Sequence, residues 1–137
     1  MTPDGLTCFP SARAAKPTAD ALAAAIEAQG LTVFARVDHA AGAAAVGMQL
    51  RPTEVVMFGN ATGGTPLMQE VQTAGIDLPL KLLVFEDAAG KTWIAYNEPE
   101  WIAARHGVTS AAGPIAAMSA LLATLARTGE TASAQSS

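Results

Sequence analysis

Val55-Val56-Met57-Phe58-Gly59-Asn60-Ala61-Thr62-Gly63-Gly64-Thr65-Pro66 is the stretch on which the reading of the fold turns. Its first four residues are apolar on both faces, as expected of a central strand covered on both sides. Gly59 to Gly64 reads as a loop that needs unusual backbone angles. Thr65-Pro66 then starts a helix by the cap-then-proline rule, and Gly75 ends it. Strand, glycine loop and helix are also the setting of a phosphate loop. The Walker pattern needs Lys directly after the second Gly and then Ser or Thr. Those places hold Thr65 and Pro66, which argues against nucleotide hydrolysis. Free N–H groups at the helix N-terminus still favour an anion, while a tight strand-to-helix connection explains the same residues without any ligand.

Working upstream, Leu50-Arg51-Pro52-Thr53 is a loop, and His39 to Val46 is an alanine-rich short helix that Asp38 can cap. Leu31 to Asp38 alternates with period two, the clearest signature of a half-buried strand. Before it, Thr18 is the expected N-cap of a helix over about Ala19 to Gln29, with Leu22 and Ile26 on one face and Gly30 as the stop. Leu6 to Phe9 is a short strand stopped by Pro10. Downstream, Leu80 to Phe85 and Thr92 to Asn97 form a hairpin through Asp87-Ala88-Ala89-Gly90. Asn97 is the expected cap of a helix from about Glu98 to His106, terminated by Gly107. Ile115, Met118, Leu121, Leu122 and Leu125 mark one face of a last helix. The expectation is a single domain over residues 1–127 and a polar, unstructured tail from Thr128 to Ser137.

Composition narrows the function classes. The chain has 137 residues and 13.9 kDa, enough for one domain that buries roughly two-thirds of its extended surface. Half the residues are hydrophobic, but 31 are alanine, and aromatics make up only 5%, which leaves few anchors for stacking sugars or bases. Net charge is −4, and no two of the eight Lys and Arg residues are adjacent. No basic stripe exists to neutralise a run of phosphates, so nucleic acid is not an expected partner. A single Cys8 excludes an internal disulfide and a multi-cysteine metal cage. The segment from His106 to Ala126 carries no formal charge and is long enough to span a bilayer. Its larger apolar residues occupy one face only, which favours a helix packed on a sheet and no membrane partner. The first residues lack a basic start and an apolar run, so a cytoplasmic location is the expectation.

Few residues carry recognisable chemistry. Asp38-His39 is the sole acid–histidine neighbour pair and falls where a strand ends, a place that favours functional groups. An Asp can orient a His tautomer, but helix capping explains Asp38 equally. Cys8, Ser11 and Thr65 are available nucleophiles, yet none lies in a recognisable nucleophile elbow. His39 and His106 match no zinc spacing. Met48, Met57 and Met68 are conceivable soft ligands, but core packing explains methionines more commonly. No metal or cofactor is expected. Trp101 either walls a pocket or packs on the sheet.

The order of these motifs resembles the domain of unknown function 302 family, whose members are small and mostly bacterial. The stretches that carry the resemblance are Thr18 to Gly30, Val37-Asp38-His39, Leu50-Arg51-Pro52, Val56 to Met68, Leu78-Pro79-Leu80-Lys81 and Tyr96-Asn97-Glu98-Pro99. They span about residues 6 to 107, and Ala61 stands where the family typically has Pro. The resemblance implies an α+β fold: a single domain with an antiparallel or mixed sheet of about five strands and helices packed on it. That fold is similar to one half of the TATA-binding-protein fold, without DNA function. It also implies a homodimer and no known activity. Asp38, His39, Arg51, Asn60, Gly64, Thr65, Tyr96 and Asn97 match the family's recurring polar motifs and are the candidate ligand-binding residues. Three functions compete. The first is a non-catalytic homodimeric module that binds a small-molecule ligand near Gly59–Thr65. The second is a structural or interaction domain without ligand, and the third an enzyme using His39 as general acid or base.

Overall fold

The strands are β1 (Leu6–Ser11), β2 (Thr32–Asp38), β3 (Thr53–Gly59), β4 (Leu80–Glu86) and β5 (Thr92–Asn97). In the computed structural model, which describes residues 2–135, they form one antiparallel sheet in the order β1-β5-β4-β3-β2. The helices are α1 (Ala15–Ala28), α2 (His39–Ala45), α3 (Ala61–Glu70), α4 (Pro99–His106) and α5 (Ala112–Gln135), with a 3₁₀ helix over Gln72–Asp77. This is the α+β single domain expected. One apolar core holds it together: Leu22 and Ile26 of α1 and Met118, Leu122 and Leu125 of α5 pack on Val56, Phe58, Leu82, Val84, Ile94 and Tyr96 of the sheet.

Both ends of the sheet differ from the sequence expectation. Pro10 does not stop β1, which runs on to Ser11 with Pro10 opposite Trp93. β1 is an edge strand, where a missing N–H costs no ladder bond. β2, the clearest alternating segment, is the other edge and is largely exposed. A bulge between Val33 and Ala35 interrupts its pairing with β3. β3 is not covered on both sides either. Glu54, Val56 and Phe58 are buried under the helices, while Val55 and Met57 are half-buried on the opposite face with Leu83, Phe85 and Trp93. An apolar run marks a strand but not the number of layers covering it.

Helix boundaries moved for local reasons. α1 begins one turn before Thr18, at Ala15. Thr18 is therefore interior, with its hydroxyl donating to Ala14 O at 2.9 Å and lying 2.8 Å from Ser11 Oγ. Asp38 does cap α2, accepting from Ala41 N at 2.9 Å. α4 starts at Pro99 after Glu98, without a side-chain cap from Asn97. Gly107, at φ 72°, closes α4 in the left-handed region as expected. Trp101 packs: its ring lies where a Cβ on Gly5 would be, 2.3 Å from Cγ. α5 continues to Gln135, where an unstructured tail from Thr128 was expected. Residues 136 and 137 lie outside the described residues. Among the described residues, no helix is long and apolar enough to cross a membrane.

Candidate functional site

The strand–loop–helix stretch builds the site differently from its sequence reading. Only Gly59, at φ 148°, leaves the ordinary backbone regions. Asn60 then caps α3, accepting from Gly63 N at 2.9 Å. Ala61 to Thr65 is thus the first part of a helix rather than a loop. Asn60 ranks above Thr65 as a capping residue, and Pro66 is accommodated inside α3 without the bond its nitrogen would have donated.

Beside this stretch lies a cavity of about 940 Å³. Its walls come from the Leu31–Phe34 end of β2, the end of β3, the first two turns of α3, the Gly75 and Leu78–Leu80 segments, and one face of α5 from Pro114 to Leu121. Three methionines line it: Met57, Met68 and Met118. No Asp, Glu, Lys, Arg or His is among the lining residues. Polar groups are few, chiefly Asn60 and the hydroxyls of Thr32, Thr62 and Thr65. Gly64 and Gly75 lie close to other walls. A Cβ on Gly64 would sit 3.3 Å from Leu78 Cδ1, and one on Gly75 would sit 3.3 Å from Met68 Sδ.

Of the eight candidate residues, Asn60, Gly64 and Thr65 line this cavity. Asp38, His39, Arg51, Tyr96 and Asn97 do not. In the β2–β3 ladder Asp38 pairs with Glu54 while Gly59 pairs with Thr32, so Asp38 and Asn60 stand at opposite ends of β3. Arg51 shares the Asp38 end, its Nε donating to Glu86 O at 3.3 Å. Tyr96 is buried and stacked on Phe9, with ring centroids 6.2 Å apart; burial pushes its hydroxyl above the usual phenol range. Asn97 is exposed at the end of β5. His39 is exposed on α2, and among the described residues no hydrogen bond or ion pair reaches its ring. The Asp38 carboxylate is engaged with the backbone, so these neighbours do not form an oriented acid–histidine pair. Burial also pushes the Cys8 thiol up, away from the reactive thiolate form. Among the described residues, no group of three or more His, Cys, Asp or Glu is placed to hold a metal.

Sequence reading missed two polar clusters, one that ties α4 to the 3₁₀ helix and one that ties the end of α3 to the segment before α5. Asp77 accepts two bonds from Arg105 Nη1, at 2.9 and 2.8 Å, and lies 2.6 Å from His106 Nε2. Thr73 Oγ1 meets the other ring nitrogen of His106 at 3.0 Å. His106 therefore fastens α4 to the 3₁₀ helix rather than merely ending α4. Glu70, at the end of α3, accepts from the backbone N–H and hydroxyl groups of Thr109 and Ser110, all within 3.1 Å. The backbone bond from Thr109 and the hydroxyl and backbone bonds from Ser110 hold its carboxyl at about 2, below the ordinary 4.5. A carboxylate with a lowered folded-state pKa stabilises fully above the ordinary value and loses that contribution as pH falls toward 2. Thermal midpoints of the wild type and Glu70→Gln are thus expected to differ above pH 5 and to converge on acidification to pH 2. A gap independent of pH would show that the carboxylate charge is not what Thr109 and Ser110 hold. No sequence pattern pairs Glu70 with residues so far along the chain.

The family described as domain of unknown function DUF302 matches residues 9–125. The chain belongs to the DUF302 family. An uncharacterized conserved DUF302 protein from Bacillus stearothermophilus has a similar crystal structure, with a TM-score of 0.81 at 16% identity. The likeness covers 92% of this chain and 98% of that one and shows the fold alone. Two curated relatives are 44% identical over 104 residues, or 76% of this DUF302 chain. One is "Fluoride-specific ion channel FluC 1" of Brucella suis biovar 1, of which 41% is covered. The other is "Fluoride-specific ion channel FluC 2" of Brucella melitensis biotype 1, of which 38% is covered. The chain therefore spans about two-fifths of the length of these curated relatives.

Proposed function

We propose that this DUF302 protein is a non-catalytic module that binds a small ligand in the cavity beside Gly59–Thr65 and works as a homodimer. The observation that carries the first part is the cavity itself, whose size falls in the range of small-molecule sites and which Asn60, Gly64 and Thr65 border. The enzyme reading loses its support, because His39 is neither oriented nor near that cavity.

The second part is supported by an unpartnered apolar surface. α2 has no buried residue, although His39–Ala45 bears no Asp, Glu, Lys or Arg. A seven-residue helix gains little from propensity alone and normally depends on an apolar contact. Phe34, Val37, Val46, Met48 and Leu50, all from β2 and the segment after it, are 40–72% exposed. β2 is also a free sheet edge, and an edge strand of this kind invites pairing with a second copy about a two-fold axis.

Native mass spectrometry tests both parts at once. The expected mass is twice the chain plus a bound small molecule. Val37→Lys, which places a charge on the exposed edge, is expected to halve the mass while leaving the far-ultraviolet circular dichroism unchanged. A monomer from the unsubstituted chain would sink the dimer part. A bare mass, together with no ligand bound in solution, would leave the structural or interaction reading.

The Brucella names favour a second reading, in which a DUF302 domain accompanies an ion channel. Conduction itself does not fall to this segment, since among the described residues no helix is long and apolar enough to cross a membrane. Nor does the cavity suit fluoride. A small, strongly hydrated anion needs cations or several converging N–H donors. No charged side chain lines these walls, which leaves only the first turn of α3 to face it, with Gly63 N already bonded to Asn60 Oδ1.

A further inference from the structure

We propose that the ligand is a long acyl chain, its hydrocarbon lying along the cavity and its polar end at the exposed Asn60–Thr62 mouth. This rests on the ligand-module reading and specifies the class of molecule.

Charge matching carries the argument first. A charged ligand body placed here would lose its hydration without meeting a counter-charge, because the walls hold no ionisable side chain. A sugar or nucleotide fails for a related reason. Such ligands need several converging donors and acceptors, but the Asn60 carboxamide oxygen is already taken by Gly63 N, and what remains is mainly three threonine hydroxyls. The body of the ligand is therefore apolar. Its polar end belongs where Asn60 and Thr62 are exposed to water.

Shape and softness point the same way. The cavity runs from the edge strand to α5, and its volume of about 940 Å³ lies at the upper end of the roughly 300–1,000 Å³ usual for small-molecule sites. Met57, Met68 and Met118 are unbranched and rotate freely, so their walls adapt to a flexible chain rather than to one rigid outline. Gly64 and Gly75 let Leu78 and Met68 lie against backbone, which keeps the lumen clear. Apolar walls this extensive that face water through the open mouth carry a hydration cost, which a hydrocarbon occupant removes by displacing that water.

The test uses the full chain and a fluorescent acyl probe, 11-(dansylamino)undecanoate. Binding in the micromolar range is expected, with displacement by dodecanoate and equally by uncharged dodecan-1-ol, and no displacement by butanoate at the same concentration. Ala117 is exposed on α5 and lines the cavity, so Ala117→Trp fills the lumen from a position that tolerates a large side chain. It is expected to weaken probe binding at least tenfold with an unchanged thermal midpoint. Ala116→Trp, exposed but off the cavity, is expected to leave binding unaltered. Probe binding that Ala117→Trp does not weaken would overturn the proposal. So would displacement by butanoate as effective as by dodecanoate, or an Ala117→Trp chain that turns monomeric without any probe having bound, since a second copy would then occupy the groove. No probe binding alongside a different small molecule in the native mass spectrum would overturn the acyl-chain assignment and leave the ligand module standing. A bare mass without probe binding would overturn both.

Discussion

Phe58→Ala is expected to destabilise the protein by about 3–5 kcal/mol, the usual cost of deleting a large buried aromatic ring. Phe58 is fully buried on β3, with Val33 and Leu80 opposite it on the two neighbouring strands. Its ring belongs to the core that Leu22 and Ile26 of α1 complete. Phe58 also lines the cavity, so the space left by the ring would enlarge it, and the cost depends on how far the surrounding side chains relax into that space. Against a total stability of about 5–15 kcal/mol for a domain, this is a large fraction. For a chain of this length it corresponds to a fall of about 10–20 °C in the thermal midpoint. Urea unfolding should show a lower midpoint with an unchanged slope. A loss under about 1 kcal/mol would mean that the β3–α1 contact is not the centre of the core.

Arg36→Met is expected to cost about 2–4 kcal/mol, although Arg36 itself is a surface residue of an edge strand. Its Nε meets Glu54 Oε2 at 2.5 Å and its Nη2 meets Asp20 Oδ1 at 2.8 Å. The Glu54 side chain is only 9% exposed, and among the described residues no other group pairs with it. Removing the guanidinium therefore leaves a carboxylate buried without a counter-charge, the costly way to break such a pair. The Arg36–Asp20 arm contributes little, because Asp20 is more than half exposed and water screens the interaction. The double variant Arg36→Met, Glu54→Leu should recover most of the loss, since an apolar pair of similar volume has no charge to strand. Equal stability of the single and double variants would show that the cost lies in Arg36 packing rather than in the orphaned carboxylate.

Where sequence reading succeeded, the signal was local. The Asp38 cap, the Asp87–Gly90 hairpin, the Gly107 terminator and the apolar face of α5 each depend on side chains within a turn or two of one another. Where it failed, two local signals competed or the deciding contact was remote. Asn60 and Thr65 both qualify as caps five residues apart, and the chain uses Asn60. The period-two alternation of β2 is real, yet its place at the sheet edge leaves both faces mostly in water. The candidate site divides in the same way. Asn60, Gly64 and Thr65 are neighbours in sequence and share the cavity wall. Asp38, His39 and Arg51 gather at the far end of the same strands, because an antiparallel hairpin sends its two ends in opposite directions.

The sequence by itself determined the family, the α+β class, the strands and most helices. The family and the fold class rest on a resemblance carried by the order of short motifs, and the strands and helices on periodicity and capping chemistry, all of which act over a few residues. Only the tertiary structure decided that a large uncharged cavity opens beside Asn60, that three methionines far apart in the chain line it, and that Glu70 meets Thr109 and Ser110 while Asp77 meets Arg105 and His106. A cavity is the space left between elements, set by how β2, β3, α3 and α5 pack against one another. Contacts such as Glu70 with Thr109 and Ser110 join residues whose separation along the chain leaves no local trace.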